Sequence, residues 1–146
     1  MKPIFLLLFI FISVIANAQK TDDTTAIKQL LNKESATWRS GDAKAHADCW
    51  HMQPYSKILV STIDGKALDV PPSIMVAPPA GMIGKGDTSE RSNYSFSVHG
   101  NDAWVSHDEV STSAEGIKSY SHEIRMLEKI NGEWKLVGQS IHSYKP

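Results

Sequence analysis

The chain has 146 residues, with 15 basic and 16 acidic side chains, so its formal net charge is −1 when histidine is neutral. This balance argues against nucleic acid or an anionic membrane as a partner, because both are captured by a strong excess of Lys and Arg. The single cysteine, Cys49, cannot form an internal disulfide, and we expect it to be buried.

The N-terminus has the pattern of a removable signal peptide. Lys2 supplies a positive charge, residues 4–15 are almost wholly apolar, and Ala16-Asn17-Ala18 has the small residues that signal peptidase recognises. The apolar run is shorter than the roughly 20 residues that span a bilayer. A cleaved signal peptide is therefore favoured over a membrane anchor.

We expect cleavage after Ala18 and export to the periplasm or the medium. After cleavage, no remaining stretch is apolar enough to cross a membrane, so no membrane partner is expected. Residues 19–146 are close to the commonest size of a single domain, so one domain is predicted there.

Two helices are predicted at the start of this domain. Apolar residues recur at helical spacing between Ile27 and Trp38, which is typical of an amphipathic helix. In the Gly41-Asp42 pair, the glycine can end this helix and the aspartate can cap the next one. Residues 43 to about 50 are then a second, short helix.

The rest of the chain predicts strands separated by turn signals such as Asn131-Gly132. These strands cover residues 57–63, 93–99, 103–112, 118–130 and 133 to about 144. Four prolines and three glycines within residues 70–86 disfavour a long element there, although residues 73–77 could form one helical turn. Helices followed by antiparallel strands predict an α+β fold, with the helices packed on one face of the sheet.

Two segments together resemble the NTF2-like superfamily, in particular its small SnoaL-like branch of exported bacterial proteins. The first is ESATWRSGD at residues 34–42, followed by Cys49-Trp50 and Pro54-Tyr55. The second combines Ala103-Trp104-Val105 with HEIRMLEKINGEWKL at residues 122–136. The resemblance covers nearly all of the predicted domain. The proline-rich stretch around residues 71–79 departs from it, because the family usually has a third helix there.

The resemblance implies a cone-shaped fold: a curved antiparallel sheet wrapped around the N-terminal helices, with a cavity open at one end. It also implies frequent dimerisation through the outer face of the sheet. It does not imply one chemistry, because the superfamily includes isomerases, cyclases, dehydratases and non-catalytic binding domains.

Tyr120 and His122 are the main candidate site residues. They share one face of a predicted strand, which we expect to line the cavity, whereas Glu123 and Arg125 point the other way and are expected to be solvated or interfacial. His122 could act as a general acid or base, with Tyr120 donating to a developing oxyanion. The alternative is that His122 is a hydrogen-bonded wall residue.

Further candidate ligand contacts are aromatic and imidazole side chains, because these combine apolar surface with a polar tip. They are His46, Trp50, Tyr55, His107 and His142, together with Tyr120 and His122. Strand alternation does not decide which face of its strand His107 occupies. Asp108 and Glu109 could join histidines as metal ligands, but no spacing matches a compact zinc motif, so neither a metal nor a cofactor is predicted.

Three functions follow from these residues. The first is a cavity for a small, largely apolar ligand in a protein that is non-catalytic or of unestablished activity. The second is an isomerase, cyclase or dehydratase with His122 as the acid or base, although none of the strand acids is flanked by apolar residues at an evident cavity position. The third is an assembly domain that uses the outer face of its sheet.

A homodimer is predicted from the last strand. If side chains alternate regularly, Trp134 and Leu136 lie on one face, and Val137 and Ile141 lie on the other. Covering the helices requires only one apolar face. The second face is therefore expected to meet a second copy of the chain, since two-fold pairing is the commonest form of association.

Overall fold

The computed structural model describes residues 23–146. The signal peptide predicted at residues 1–18 lies outside the described residues and stays a prediction. Within residues 23–146, no helix is long and apolar enough to cross a membrane.

The described chain contains two α-helices and six strands. Helix α1 covers residues 23–40 and helix α2 covers Ala43–Ala47. The strands are β1 (Ile58–Ser61), β2 (Ala67–Val70), β3 (Thr88–His99), β4 (Asp102–Thr112), β5 (Lys118–Ile130) and β6 (Glu133–Tyr144). A short 3-10 helix, Pro72–Met75, follows β2.

The strands form one curved, unclosed sheet in the order β2-β1-β6-β5-β4-β3. Strand β1 runs parallel to β6, and every other neighbouring pair is antiparallel. The α+β fold is therefore confirmed, with one parallel pair that the sequence did not predict. Strand β2 was not predicted either, because its residues are mostly exposed and lack a buried face.

The helices follow the sequence signals closely. Gly41 has a φ of 83°, and the Asp42 side chain accepts a hydrogen bond from the backbone N–H of Ala45, so the predicted helix end and cap are confirmed. Ile27 and Leu31 of α1 are buried against the sheet. We call the face of the sheet that they cover the inner face, and its reverse the outer face.

A bulge in β6 changes which of its side chains point inward. The register with β5 shifts between Met126 and Leu127, and Val137 is the residue left out of the pairing. Trp134 lies in the core before the bulge, and Ile141 lines the inner cavity after it. The prediction that Ile141 lies on the outer face is therefore wrong, because the inserted residue breaks regular alternation.

The inner face of β5 is the reverse of the predicted one. Glu123, Arg125 and Leu127 are buried, whereas His122 and Ile124 are exposed on the outer face. The prediction assigned the more apolar side chains to the interior. It is wrong because ion pairs among inner-face residues compensate for the burial of their charges.

Candidate functional site

A cavity of about 350 Å³ lies between α1 and the inner face of the sheet. Its apolar side comes from β1, β2, the 3-10 helix and β6, through Ile58, Val60, Val70, Ile74, Met75 and Ile141. Its polar side comes from α1, β3, β4 and β5, through Glu34, Arg39, Arg91, Glu109, Glu123 and Arg125. The cavity is therefore amphipathic, with three carboxylates and three guanidinium groups on one side.

Glu109 is the centre of the first ion-pair group. Its carboxylate oxygens lie 2.6 Å from Nη2 of Arg39 and 2.8 Å from Nε of Arg91. The Ser111 hydroxyl adds a hydrogen bond of 2.9 Å to Glu109, and Arg39 also pairs with Asp87. Two positive and two negative side chains balance in this group.

Arg125 is the centre of the second group. It pairs with Glu123 and donates to the side-chain oxygen of Gln139. Burial alone would lower the pKa of Arg125, but the carboxylates of Glu123 and then Glu34 outweigh burial and raise it. Burial alone would raise the pKa of Glu123, but the positive charge of Arg125 contributes to a net lowering. Both side chains therefore stay charged at neutral pH.

Glu34 is held more loosely than the other two glutamates. Its Oε1 lies 3.9 Å from Nη1 of Arg125 and 3.9 Å from Nε2 of His46. His46 is fully buried beside Trp38, and its Nδ1 lies 3.0 Å from the backbone oxygen of Glu34. The carboxylate of Glu34 thus lies on the cavity wall with only long contacts to charged or polar groups of the described chain.

His107 lies on the inner face beside Glu123 and contacts the ring of Tyr94. Its side chain is fully buried, and neither ring nitrogen has a hydrogen-bond partner among the described residues. Burial, followed by the charge of Arg125, lowers the pKa of His107 to about 4. The imidazole is therefore neutral at physiological pH.

His107, Glu109 and Glu123 have the composition of a divalent metal site. Their ligand atoms all lie within 4.8 Å of one another. Arginines already pair with both carboxylates, so a metal ion would have to displace these arginines and bear their repulsion. We therefore interpret the two glutamates as part of the ion-pair network, with the neutral His107 packed beside them.

The segment after the 3-10 helix completes one wall of the cavity. Gly84 packs so closely on Gly41 that a Cβ at either position would lie 3.2 Å from the other's Cα. The backbone N–H of Gly84 donates to the Trp38 carbonyl at 2.9 Å. These contacts bring Met82 to the cavity and explain how a proline- and glycine-rich stretch takes the place of a regular element.

The structure brings few of the predicted site residues together. Tyr120 lines the cavity, as do its neighbours Ser119 and Ser121. The His122 side chain is 62% exposed on the outer face, where Nδ1 lies 2.6 Å from Oδ1 of Asp108. The expected convergence of Tyr120 and His122 on the cavity is therefore wrong.

The other candidates are not among the residues that line the cavity. Trp50 and His46 are buried in the core, where His46 lies behind Glu34, and His107 is buried on the inner face beside Glu123. Tyr55 is 61% exposed and donates to Glu128. His142 is exposed on the outer face, with Nε2 2.8 Å from the Ser140 hydroxyl.

Cys49 is buried, as expected, and its thiol lies 3.3 Å from the carbonyl of Ala45. Burial raises the pKa of this thiol to about 11. A protonated, buried thiol is a poor nucleophile, so Cys49 is a core residue.

The charged cavity residues were not predicted as a site. Glu34 and Arg39 are charged residues of a predicted amphipathic helix, where such side chains usually face solvent. Arg91 and Glu109 lie on strands whose alternation is altered or ambiguous. One residue in the sequence could have indicated the correct face of β5. Leu127 is buried in the core, and because side chains alternate along a strand, Arg125 and the other odd-numbered residues lie on the same inner face.

No protein-family model matches the sequence, and no curated protein sequence matches it. Solved structures do resemble it. An NTF2-like protein with a cystatin-like fold from Novosphingobium aromaticivorans has a TM-score of 0.68 at 15% identity, over 89% of this chain and 87% of that one. A protein of unknown function from Mycobacterium tuberculosis has a TM-score of 0.70 at 16% identity, over 88% of this chain and 76% of that one.

An NTF2-like protein of unknown function from Methylobacillus flagellatus has a TM-score of 0.63 at 17% identity, over 85% of this chain and 94% of that one. At these identities the similarity establishes the fold alone. The chain has the NTF2-like, cystatin-like fold.

Proposed function

We propose that this chain, as a protein with the NTF2-like fold, binds a small molecule with a largely apolar body in its cavity. The observation that carries the proposal is the division of the cavity into an apolar side and a polar side. Pockets that bind small molecules typically combine apolar lining with a few placed polar groups, and the volume of about 350 Å³ lies within their usual range.

The apolar side would hold the body of the ligand. Ile58, Val60 and Ile141 lie on the neighbouring strands β1 and β6, and Ile74 and Met75 close over them from the 3-10 helix. Removal of apolar ligand surface from water on this side would supply about 25 cal/mol per Å² before the costs of association. Most charged side chains on the polar side already form ion pairs with each other. We therefore expect them to orient the ligand and to contribute little ionic binding energy.

Butylbenzene is a suitable probe, and isothermal titration calorimetry measures its binding. Replacing Ile141 with tryptophan should fill the apolar side and weaken binding at least tenfold. Replacing Ile117 with tryptophan is the matched control, because Ile117 is 70% exposed and does not line the cavity. Absence of binding to the wild type, or equal binding by both variants, would contradict the proposal.

The alternative function as an enzyme with His122 as its acid or base finds no support in the geometry. It requires His122 to act inside the cavity, whereas His122 pairs with Asp108 on the outer face. The assignment of His122 as an acid or base therefore has no place in the proposed function.

We also propose a homodimer. The proposal rests on exposed apolar side chains of β4 and β5, and not on the two faces of the last strand from which the sequence predicted it. Trp104, Ile124 and Met126 are 45%, 40% and 37% exposed on the outer face, and Trp104 is paired with Met126 across β4 and β5. Adjacent exposed apolar side chains of this size favour association. A second copy would cover them through a two-fold axis.

Replacing Ile124 with glutamate should then shift the protein towards monomer in analytical ultracentrifugation at micromolar concentration. Ile117 is 70% exposed, in the turn before β5, and its replacement by glutamate is the matched control. A wild type that sediments as a monomer would overturn the dimer.

A further inference from the structure

The three cavity glutamates differ in how well their charges are compensated. Glu109 has two arginines within 2.8 Å, and Glu123 has Arg125 and a hydrogen bond of 2.9 Å from the Ser121 hydroxyl. Glu34 has no hydrogen bond to its carboxylate from a described residue, and its closest charged or titratable neighbours are 3.9 Å away. Its side chain is only 8% exposed, and Glu34 is one of the residues that line the cavity.

His46 does not supply the missing donor in its neutral form. A backbone carbonyl can only accept, so the contact of Nδ1 with the Glu34 carbonyl at 3.0 Å requires the hydrogen on Nδ1. The Nε2 of a neutral His46 is then an acceptor, and this buried atom has no hydrogen-bond partner among the described residues. Two acceptors, Nε2 of His46 and Oε1 of Glu34, therefore face each other across 3.9 Å.

The charges at this end of the cavity also fail to balance. Arg125 carries one positive charge and faces two carboxylates, Glu123 and Glu34. His107 adds no positive charge here, because burial lowers its pKa to about 4. Arg39 and Arg91 are engaged by Glu109 and, for Arg39, by Asp87. The single charge of Arg125 is therefore shared between two carboxylates, and the more distant one, Glu34, is only partly compensated in a site where that is costly.

We propose that Glu34 pairs with a protonated amine on the ligand, whose apolar body lies against the Ile58 and Ile141 side of the cavity. This inference rests on the proposed function and names the chemical class of the ligand. An ammonium group would supply the hydrogen-bond donor that the carboxylate lacks and a positive charge closer than that of Arg125. His46 and Arg125 are positioning residues that hold the Glu34 side chain from two directions.

Four probes with the same phenylbutyl body test the assignment: 4-phenylbutylamine, 4-phenylbutanol, 4-phenylbutanoate and butylbenzene. With the wild-type protein at pH 7, calorimetry should show the amine binding at least tenfold more tightly than the alcohol. The carboxylate should bind more weakly than the alcohol, because it would face Glu34 with a like charge.

Replacing Glu34 with glutamine should remove the preference for the amine while butylbenzene still binds, and that binding also reports that the variant is folded. Replacing Glu90, which is exposed on β3, with glutamine is the matched control and should leave the preference unchanged. The wild-type comparison of amine with alcohol does not depend on how either variant folds.

The outcomes separate the two proposals. Equal binding of amine and alcohol would overturn the role of Glu34 and would leave the apolar cavity proposal standing. Binding of the amine without binding of butylbenzene would uphold Glu34 and overturn the apolar-body proposal. Failure of all four probes to bind would overturn both.

Discussion

Replacing Arg125 with methionine is expected to destabilise the protein by about 3–5 kcal/mol, because it leaves buried carboxylates without their cation. The Arg125 side chain is 6% exposed, and its partner Glu123 is 4% exposed. Urea denaturation followed by tryptophan fluorescence at pH 7 measures the change. Replacing Lys118, exposed at the start of the same strand, with methionine is the control and should change stability by no more than about 0.5 kcal/mol.

The loss should be partly recovered when Glu123 is also replaced, by glutamine, because the second substitution removes the uncompensated negative charge. Such non-additivity is expected for residues within one ion-pair network. A cost for the Arg125 substitution within the range of the Lys118 control would contradict the ion-pair interpretation of the inner face.

The second large effect concerns pH and His107. Its folded-state pKa of about 4 lies below the ordinary value of 6.5, so the unfolded chain binds the proton more readily between these values. The contribution of neutral His107 to the free energy of unfolding is therefore fully present above pH 6.5 and is lost as the pH falls towards 4. At 1.36 kcal/mol per pKa unit, the loss is about 3 kcal/mol.

Replacing His107 with leucine should remove this dependence. Both ring nitrogens lack hydrogen-bond partners among the described residues, so the substitution should cost less than about 1.5 kcal/mol at pH 7. Urea denaturation at intervals between pH 7 and pH 4 gives the two profiles. The variant should be the more stable protein near pH 4, and parallel profiles would show that burial does not hold His107 neutral.

Local signals in the sequence predicted most of the fold. The Asn131-Gly132 turn set the bounds of β5 and β6, which the structure places where the pattern predicts them, and Asp42 capped α2 as expected. These features depend on backbone conformation within a few residues. Strand β2 lacked such a signal because its side chains are largely exposed.

The candidate site was harder to predict because it departs from the hydrophobic pattern. Regular alternation failed where β6 inserts Val137, and hydrophobicity assigned His122 to the interior in place of Glu123. The burial of Arg125 becomes favourable only when residues distant in the sequence, such as Glu34, come close to it. No local pattern encodes such partners.

The cavity between α1 and the inner face is proposed to bind the apolar body of a small molecule. The most direct measurement is a titration with butylbenzene of protein labelled with ¹³C at the δ1 methyl groups of isoleucine, followed by NMR. The account predicts shifts at Ile58, Ile74 and Ile141, which line the cavity, and none at Ile117, which is exposed in a turn. Shifts confined to Ile117 and the outer-face Ile124, with the cavity methyl groups unchanged, would contradict it.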